Sequence, residues 1–521
     1  MARRAQPVSA IPGAVAACAA AAFILLPLVA VALRADAGGA GMTPADWVAI
    51  RFTLTQAFLS ALFSLVLAVP VARALSRRRF VGRNLLITLL GAPFILPVIV
   101  AVLGLLAVFG RAGWVSDALG LLGLPPVQIY GLHGVVLAHV FFNLPLATRL
   151  ILQGWQEIPA ERFRLAAQLG AGPSEIRWLL EWPMLKRTLP GAFIVIFALC
   201  LTSFAVALTL GGGPRATTIE LAIYQAVLFE YDFDRAALLA LIQIALTLGV
   251  AIIGLGFAYT GSFGAGLDRP VQRWDARALH LKVMDSGLIL VASVFLLLPL
   301  LAIVFAGLPG LLDLPGVVVS AAGLSILVAG ASTLIMLGFA IPMAVALAAR
   351  AKRGNWIELA GLLGLAVSPL VIGTGLFILL FPLVDPGAMA LPVTACVNAL
   401  MALPFALRIL VPAARDAVTL QGRLALSLGL SKWTFLRLVL LPRMRPQIGF
   451  AAGLCAALSM GDLGVIALFA DPELATLPLQ VFRLMGAYQM QTASAAALVL
   501  LVLSVALFWL LDRGGKRFAE T

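Results

Sequence analysis

Runs of roughly 20 apolar residues recur along this chain, each long enough to cross a bilayer core as a helix, with polar residues gathered between them. They fall near 11–34, 54–75, 86–109, 133–153, 190–211, 236–260, 285–308, 319–349, 357–382, 391–411, 449–470 and 494–512. The short alternating strands of a membrane barrel would not give this pattern. It predicts an all-α integral membrane protein with about twelve transmembrane helices.

A much longer period is superimposed on the apolar runs. Leu165-Ala166-Ala167-Gln168-Leu169-Gly170 runs on to Pro183, and Leu424-Ala425-Leu426-Ser427-Leu428-Gly429 runs on to Pro442. One offset of 259 residues relates Gly170 to Gly429, Pro183 to Pro442, Pro145 to Pro404 and Arg149 to Arg408. Pro70 with Pro342 and Pro97 with Pro369 give 272, because the first copy carries a longer loop near 113–132. A duplicated membrane unit is the reading: a first repeat over 1–262, a cytoplasmic linker over 263–283 and a second repeat over 284–521, with polar loops near 155–190 and 412–449. Six crossings per repeat bring each back to its starting side, so the repeats are parallel and relate by a pseudo-twofold axis along the membrane normal.

Composition strengthens the membrane assignment, with 62% hydrophobic residues, 11% charged residues and a mean hydropathy of +1.08. The net charge of +13 invites a nucleic-acid partner, but the basic residues sort by membrane side instead. Placing Arg3 and Arg4 in the cytoplasm leaves only Arg34, Arg51, Arg111, Arg215, Arg235 and Arg483 of the 36 Lys and Arg on the far side. That asymmetry puts both termini inside. The first apolar run follows Arg3 and Arg4 as a secretion signal would, but its length and lack of a small-residue cleavage site predict a retained anchor.

Chemistry-bearing residues are sparse. Cys18, Cys200, Cys396 and Cys455 lie in predicted spans at no motif spacing and read as buried, reduced thiols, and His133, His139 and His280 are too scattered to hold a metal. No catalytic residue and no P-loop is present; the Gly515-Lys516 pair is followed by Arg517 rather than Ser or Thr. The loop at 212–235 carries Glu220, Glu230, Asp232 and Asp234 against Arg215 and Arg235, and reads either as a docking surface or as a solvated loop.

In the repeated polar segment, Pro159 before Ala160–Leu169 and Gly170 after it punctuate a brief amphipathic helix. Phe163, Ala166 and Leu169 fall on one side of it, and the second copy, with Leu424 and Leu428 on its apolar side, reads alike. Small residues on such a face bury little area in lipid but allow close approach of a protein. Two such helices related by a pseudo-twofold suit a twofold partner with two grooves, in preference to interfacial helices lying on headgroups.

These loops resemble those of permease subunits of ATP-binding-cassette importers of the type I, molybdate/maltose-like group. Their pattern is E-A-A-x-x-x-G followed by L-P. Leu165 stands where that pattern has Glu, Leu424-Ala425-Leu426 departs further, and Leu441-Pro442 closes the second copy. Within the group the chain is similar to thiamine importer permeases in the strings 137–145, 210–226 and 461–464, while fused ferric-iron permeases share the architecture. The resemblance implies the type I importer permease fold in a bacterial inner membrane, carrying thiamine and its phosphates inward. It implies a thiamine-binding protein on the periplasmic side and a homodimer of ATPase subunits on the cytoplasmic side, with ATP and Mg²⁺ used by that partner and no cofactor bound here. The ATPase-coupling residues would be Leu165, Ala166, Ala167, Leu169, Gly170 and Pro183 in the first copy, and Leu424, Ala425, Leu428, Gly429 and Pro442 in the second.

An acid within a span is expensive, by roughly 2.5–3.5 kcal/mol or more at the helix centre, and marks a cavity or a partner. Asp462, with Ser459 a turn before it, therefore lines a translocation path or holds a broken helix beside Gly461 and Gly464. The 259 offset sets Asp462 opposite Ser203, flanked by Thr202 and Phe204, and Asn143 beside Pro145 is a further path candidate. A secondary transporter of the major-facilitator kind also has twelve spans in two parallel halves, but has no use for paired cytoplasmic docking helices. A membrane-embedded enzyme would need convergent titratable groups.

Overall fold

The computed structural model describes residues 8–38, 41–83, 86–87, 90, 96–257, 273, 275, 278–349, 355–469 and 474–520. Most of the predicted linker lies outside these residues, as do Arg3, Arg4 and Arg350–Arg353. Every regular element among the described residues is helical.

The helices that carry the first half are α1 (Ile11–Gly38), α2 (Pro44–Arg77), α3 (Val98–Phe109), α4 (Leu132–Gln156), α5 (Ala160–Gln168), α6 (Trp182–Leu201), α7 (Phe204–Leu210) and α8 (Phe233–Phe257). Those of the second are α9 (Leu279–Gly307), α10 (Gly316–Ala349), α11 (Pro369–Leu380), α12 (Pro386–Ser427), α13 (Leu441–Met460), α14 (Gly464–Phe469) and α15 (Met490–Glu520). Ten helical stretches among the described residues are long and apolar enough to cross a membrane, and an eleventh is a pair, Trp356–Leu365 with α11, bent by 95°. Two expected spans, 190–211 and 449–470, are not single helices: they break at 202–203 between α6 and α7 and at 461–463 between α13 and α14.

Small residues build the contacts within each half. Ala57, Ala61, Ala68 and Ala72 of α2 are fully buried at helical spacing, and α2 packs on α4 and α6 as α10 packs on α12 and α13. With no hydrophobic driving force between helices in lipid, close backbone approach supplies dispersion contacts instead. The first helix of each half crosses to the other: α1 packs on α10 and α11, and α9 packs on α2 and α3.

Corresponding elements share their irregularities. Both α2 and α10 have 34 residues, and both α3 and α11 have 12. A single π turn precedes α6 at Arg177–Glu181 and precedes α13 at Leu436–Leu440. Pro183 and Pro442, each in the first turn after it, lack an N–H and cannot continue the i→i−4 ladder, so the ladder widens by one residue there. Thr53 accepts a hydrogen bond from the Ile219 amide at 2.9 Å, and Ser325, 272 residues on, accepts one from Leu477 at 2.7 Å.

One difference between the copies has a clear cause. In the first, Pro159 ends the path from α4 and starts the separate helix α5. The matching position in the second is Val418, which has an N–H, and α12 runs unbroken for 42 residues to Ser427. The brief surface helix expected in the second copy is thus the end of a long one. The thiols also depart from expectation: Cys200 and Cys455 are buried, but Cys18 is exposed on the helix surface and Cys396 is half-buried.

Candidate functional site

The continuous helix of each half ends beside the molecular centre. After α6, Thr202 (φ −100°, ψ 22°) and Ser203 (φ −89°, ψ 97°) leave the helix before α7 begins. After α13, Gly461, Asp462 and Leu463 do the same before α14. Taken alone, without the helical residues that follow α3 to Leu121 and precede α11 from Trp356, the short helices α3 and α11 are each about 18 Å long at 1.5 Å per residue and too short to span. They present their N-terminal Pro97 and Pro369 to the same place, and together these ends enclose a cavity of about 390 Å³.

Asn143, Thr202, Ser203, Phe204, Ser459 and Asp462 all line it. Asp462 Oδ1 accepts from the Gly464 amide at 3.3 Å, with the amides of Val465 and Ile466 also engaged, so the carboxylate caps α14. Asp462 Oδ2 is buried and has no partner. Ser203 holds the equivalent place before α7 but makes no cap, because its hydroxyl pairs with His139 Nε2 at 2.7 Å. Thr202 bonds back to its own helix at Ala198, and Asn143 donates to the Cys200 sulfur at 3.3 Å.

Behind the breaks stands a matched pair of polar clusters. In the first half, Ser60 meets His139 Nδ1 at 3.2 Å. In the second, Ser332 meets Ser459 at 3.0 Å, and Asn398 donates to Ser459 at 3.1 Å. The offsets of 272 and 259 residues pair Ser60 with Ser332, His139 with Asn398, Cys200 with Ser459 and Ser203 with Asp462. Within these two clusters the hydroxyl, imidazole and amide groups pair with one another, which lowers the cost of burying them in an apolar surrounding.

His139 and Glu220 are members of this site that sequence reasoning passed over. His139 shares the 259 offset with Asn398, a signal present but unused. Glu220 was placed in a solvated or docking loop; instead Thr218 caps a helix over Ile219–Gln225 that turns inward, and Glu220 is fully buried. The rest of that loop is tied to the bundle, with Arg235 on Asp46 at 2.8 Å and on Glu230, and Asp234 on Arg34 at 2.5 Å.

On the opposite side of α6 and α13 from the cavity lie the repeated polar segments. Leu165, Leu169 and Leu179 are exposed, and so are Leu424, Leu428 and Leu438 at the equivalent positions. Phe163 is buried and Ala166 half-buried, while Leu169, expected on their side, is 77% exposed because α5 ends at Gln168. Ala167 is exposed and Ala425 buried. Gly170 (φ +69°) and Gly429 (φ +66°) close the segments in the left-handed region that favours glycine.

No protein-family model matches the chain. The chain is 40% identical over 541 residues to the thiamine transport system permease protein ThiP of Salmonella typhimurium, covering all of both chains. It is 41% identical over 488 residues to the protein of that name from Escherichia coli, covering 91% of this chain and 90% of the relative. At greater distance, the molybdenum transport system permease protein ModB of Mycobacterium bovis is 28% identical over 237 residues, 45% of this chain and 89% of that one.

Proposed function

Because this chain belongs to the thiamine transport system permease family, we propose that it is the membrane subunit of an importer that moves thiamine from the periplasm to the cytoplasm. The observation that carries this reading is a mechanical one. From Pro173 to Leu201, and again from Lys432 to Met460, an unbroken helical run joins a repeated polar segment to a break in the cavity wall. Displacement of the segments is transmitted to both walls of the cavity, since each run stays helical through its single π turn.

In this reading Leu165, Ala166, Ala167, Leu169, Gly170 and Pro183, with Leu424, Ala425, Leu428, Gly429 and Pro442, form two levers. They seat on the two copies of a cytoplasmic ATPase subunit, which holds ATP and Mg²⁺. Asn143, Thr202, Ser203, Phe204, Ser459 and Asp462 line the path, and a periplasmic binding protein delivers the cargo. The chain is two parallel repeats joined by the 263–283 linker, both termini face the cytoplasm, and the membrane is the inner one. The relatives quoted above are named for thiamine and molybdenum, which gives the ferric-iron alternative no support. The test is rescue of a thiamine-requiring bacterium at nanomolar vitamin by this chain with its ATPase and binding protein. Rescue that is lost when Gly170 or Gly429 becomes valine supports the reading, and increased iron uptake without rescue overturns it.

A further inference from the structure

Two carboxylates reach the central cavity, one from each half, and each has an oxygen left without a partner. Glu220 Oε1 accepts from Gln243 Nε2 at 3.3 Å and the Ser368 side chain lies beside the carboxyl, while Glu220 Oε2 is buried without a hydrogen bond. Asp462 Oδ1 is occupied by the cap of α14 and the Asn398 side chain lies beside the carboxyl, while Oδ2 is buried without a hydrogen bond. Both residues line the same cavity of about 390 Å³, a size that suits a small organic ligand. A buried polar atom left unpaired costs about 1–3 kcal/mol, and more for a charged group. Other buried polar atoms also lack a partner, Gln56 Oε1 and Ser64 Oγ among them, but these two are carboxylate oxygens of residues that line one chamber, where a ligand can complete the bonding.

The surroundings make these acids chemically consequential. The first turns of α3 and α11 face the cavity at Pro97 and Pro369, and each helix N-terminus carries a partial charge of about +0.5. Without the carboxylates the chamber would repel a cation. The cap on Asp462 leaves its charge in place but fixes one oxygen, so only Oδ2 is available to cargo. Glu220 stands fully buried against Gln243, whose Nε2 also donates to the Leu201 carbonyl at 2.9 Å, so its carboxyl is held in place as an acceptor.

We propose that Asp462 and Glu220 form a two-carboxylate subsite for an organic cation in transit, with distinct tasks. Asp462 faces the fixed positive charge of the thiazolium ring, whose quaternary nitrogen cannot be neutralised by losing a proton, and Glu220 accepts a hydrogen bond from the exocyclic amine of the aminopyrimidine. The two ends of the molecule are thereby read by the two halves of the protein. This assignment rests on the thiamine reading above.

The experiment uses the full importer, permease with ATPase and binding protein, in proteoliposomes, with uptake of thiamine and of oxythiamine, which keeps the cation but replaces the amine by an oxo group. Glu220→Gln is expected to bring the two uptake rates within about 2-fold of each other from a wild-type preference of at least about 10-fold for thiamine. Asp462→Asn, which retains a capping side chain, is expected to lower both uptakes about 10-fold or more, and Asp462→Glu to recover most of the loss. Unchanged preference in the Glu220 variant, or equal loss in the Asn and Glu variants at 462, overturns the subsite. Should a variant fail to assemble, competition by unlabelled oxythiamine against thiamine uptake by the wild-type importer decides: weak competition supports the amine contact, and competition as strong as thiamine's own overturns it. Wild-type vesicles that take up no thiamine would instead bring down the transport reading itself.

Discussion

The carbonyl oxygen of Pro299 stands 2.4 Å from the point that a Cβ on Gly104 would occupy. The carbonyl of Pro27 stands equally close, 2.4 Å, to the Cβ position of Gly375. Pro27 and Pro299 are repeat equivalents, 272 residues apart, so the first helix of each half is seated against the short helix of the other with only a hydrogen between them. The halves interlock rather than abut.

A backbone carbonyl in a packed helix cannot swing aside as a side chain can, so a methyl at either glycine must displace a helix. Gly104→Ala and Gly375→Ala are each expected to cost about 1–3 kcal/mol by overpacking. Gly338, in α10 with nothing within 4 Å of its Cβ position, provides the contrast, and Gly338→Ala should leave the melting temperature equal or higher. Thermal unfolding in detergent followed by size-exclusion chromatography measures all three, and equal melting temperatures would show that the crossings do not hold the halves.

What was legible in the sequence is what the backbone dictates locally. Pro183 and Pro442 force a π turn, and Gly170 and Gly429 take up positive φ, so the repeat could be read from prolines and glycines alone. The apolar runs located the helices but not their interruptions: 449–470 is apolar enough to look continuous, and only Gly461-Asp462-Leu463 breaks it. Pairings between distant elements were illegible for a different reason. The contact of His139 with Ser60 and Ser203 and the inward turn of Glu220 depend on helix crossings that no window of sequence contains. The exposure of Leu169 followed from where α5 ends, one residue before the periodicity would have carried it inward.

The seats of the two repeated polar segments differ in kind. Glu181 is buried, with Arg273 at 2.8 Å, Arg73 at 2.8 Å and Arg77 at 3.8 Å, while Arg273 lies over the Phe163 ring at 4.6 Å. The equivalent of Glu181 is Leu440, and those of Arg73 and Arg77 are Val345 and Ala349, all buried. Removing one charge from a buried network leaves the others uncompensated, so Glu181→Leu is expected to cost about 3–5 kcal/mol. Glu181→Leu combined with Arg73→Val and Arg77→Ala, which installs the apolar seat of the second half, should recover most of that loss. A triple variant no more stable than the single one in a melting assay would show that the network is not separable in this way.

Asp275 links pH to the placement of the residues between the halves. Burial acts to raise its carboxyl, but hydrogen bonds and charge from Arg273, together with the charge of Arg77, outweigh burial and hold it below the usual carboxylate range. A group with a depressed folded pKa contributes stability that is present above its unfolded value, about 3.9, and is lost as pH falls through the lower folded value. The contact of Asp275 with Arg77 of α2 should therefore hold at every pH above about 4 and loosen only below it. Amide exchange across this segment, corrected for intrinsic rate, should show that acid loosening in the wild type and none in Asp275→Asn; a wild-type segment equally protected on both sides of that pH would refute it.

The proposed role of the repeated polar segments as paired levers makes the sharpest functional prediction. Leu165 is 57% exposed and its counterpart Leu424 is 60% exposed, so a charge at either disturbs no core and should alter stability by no more than about 0.5 kcal/mol. Docking onto a twofold partner would bury both. Leu165→Asp or Leu424→Asp alone should leave the ATPase subunit co-purifying through the remaining lever while lowering thiamine uptake about 10-fold, because one wall of the cavity no longer follows the motor. The double variant should lose the ATPase subunit altogether, since each unpaired carboxylate must be desolvated in the interface. If the double variant retains its ATPase partner and its uptake, these leucines lie on lipid headgroups instead, and the force that moves α6 and α13 enters the protein elsewhere.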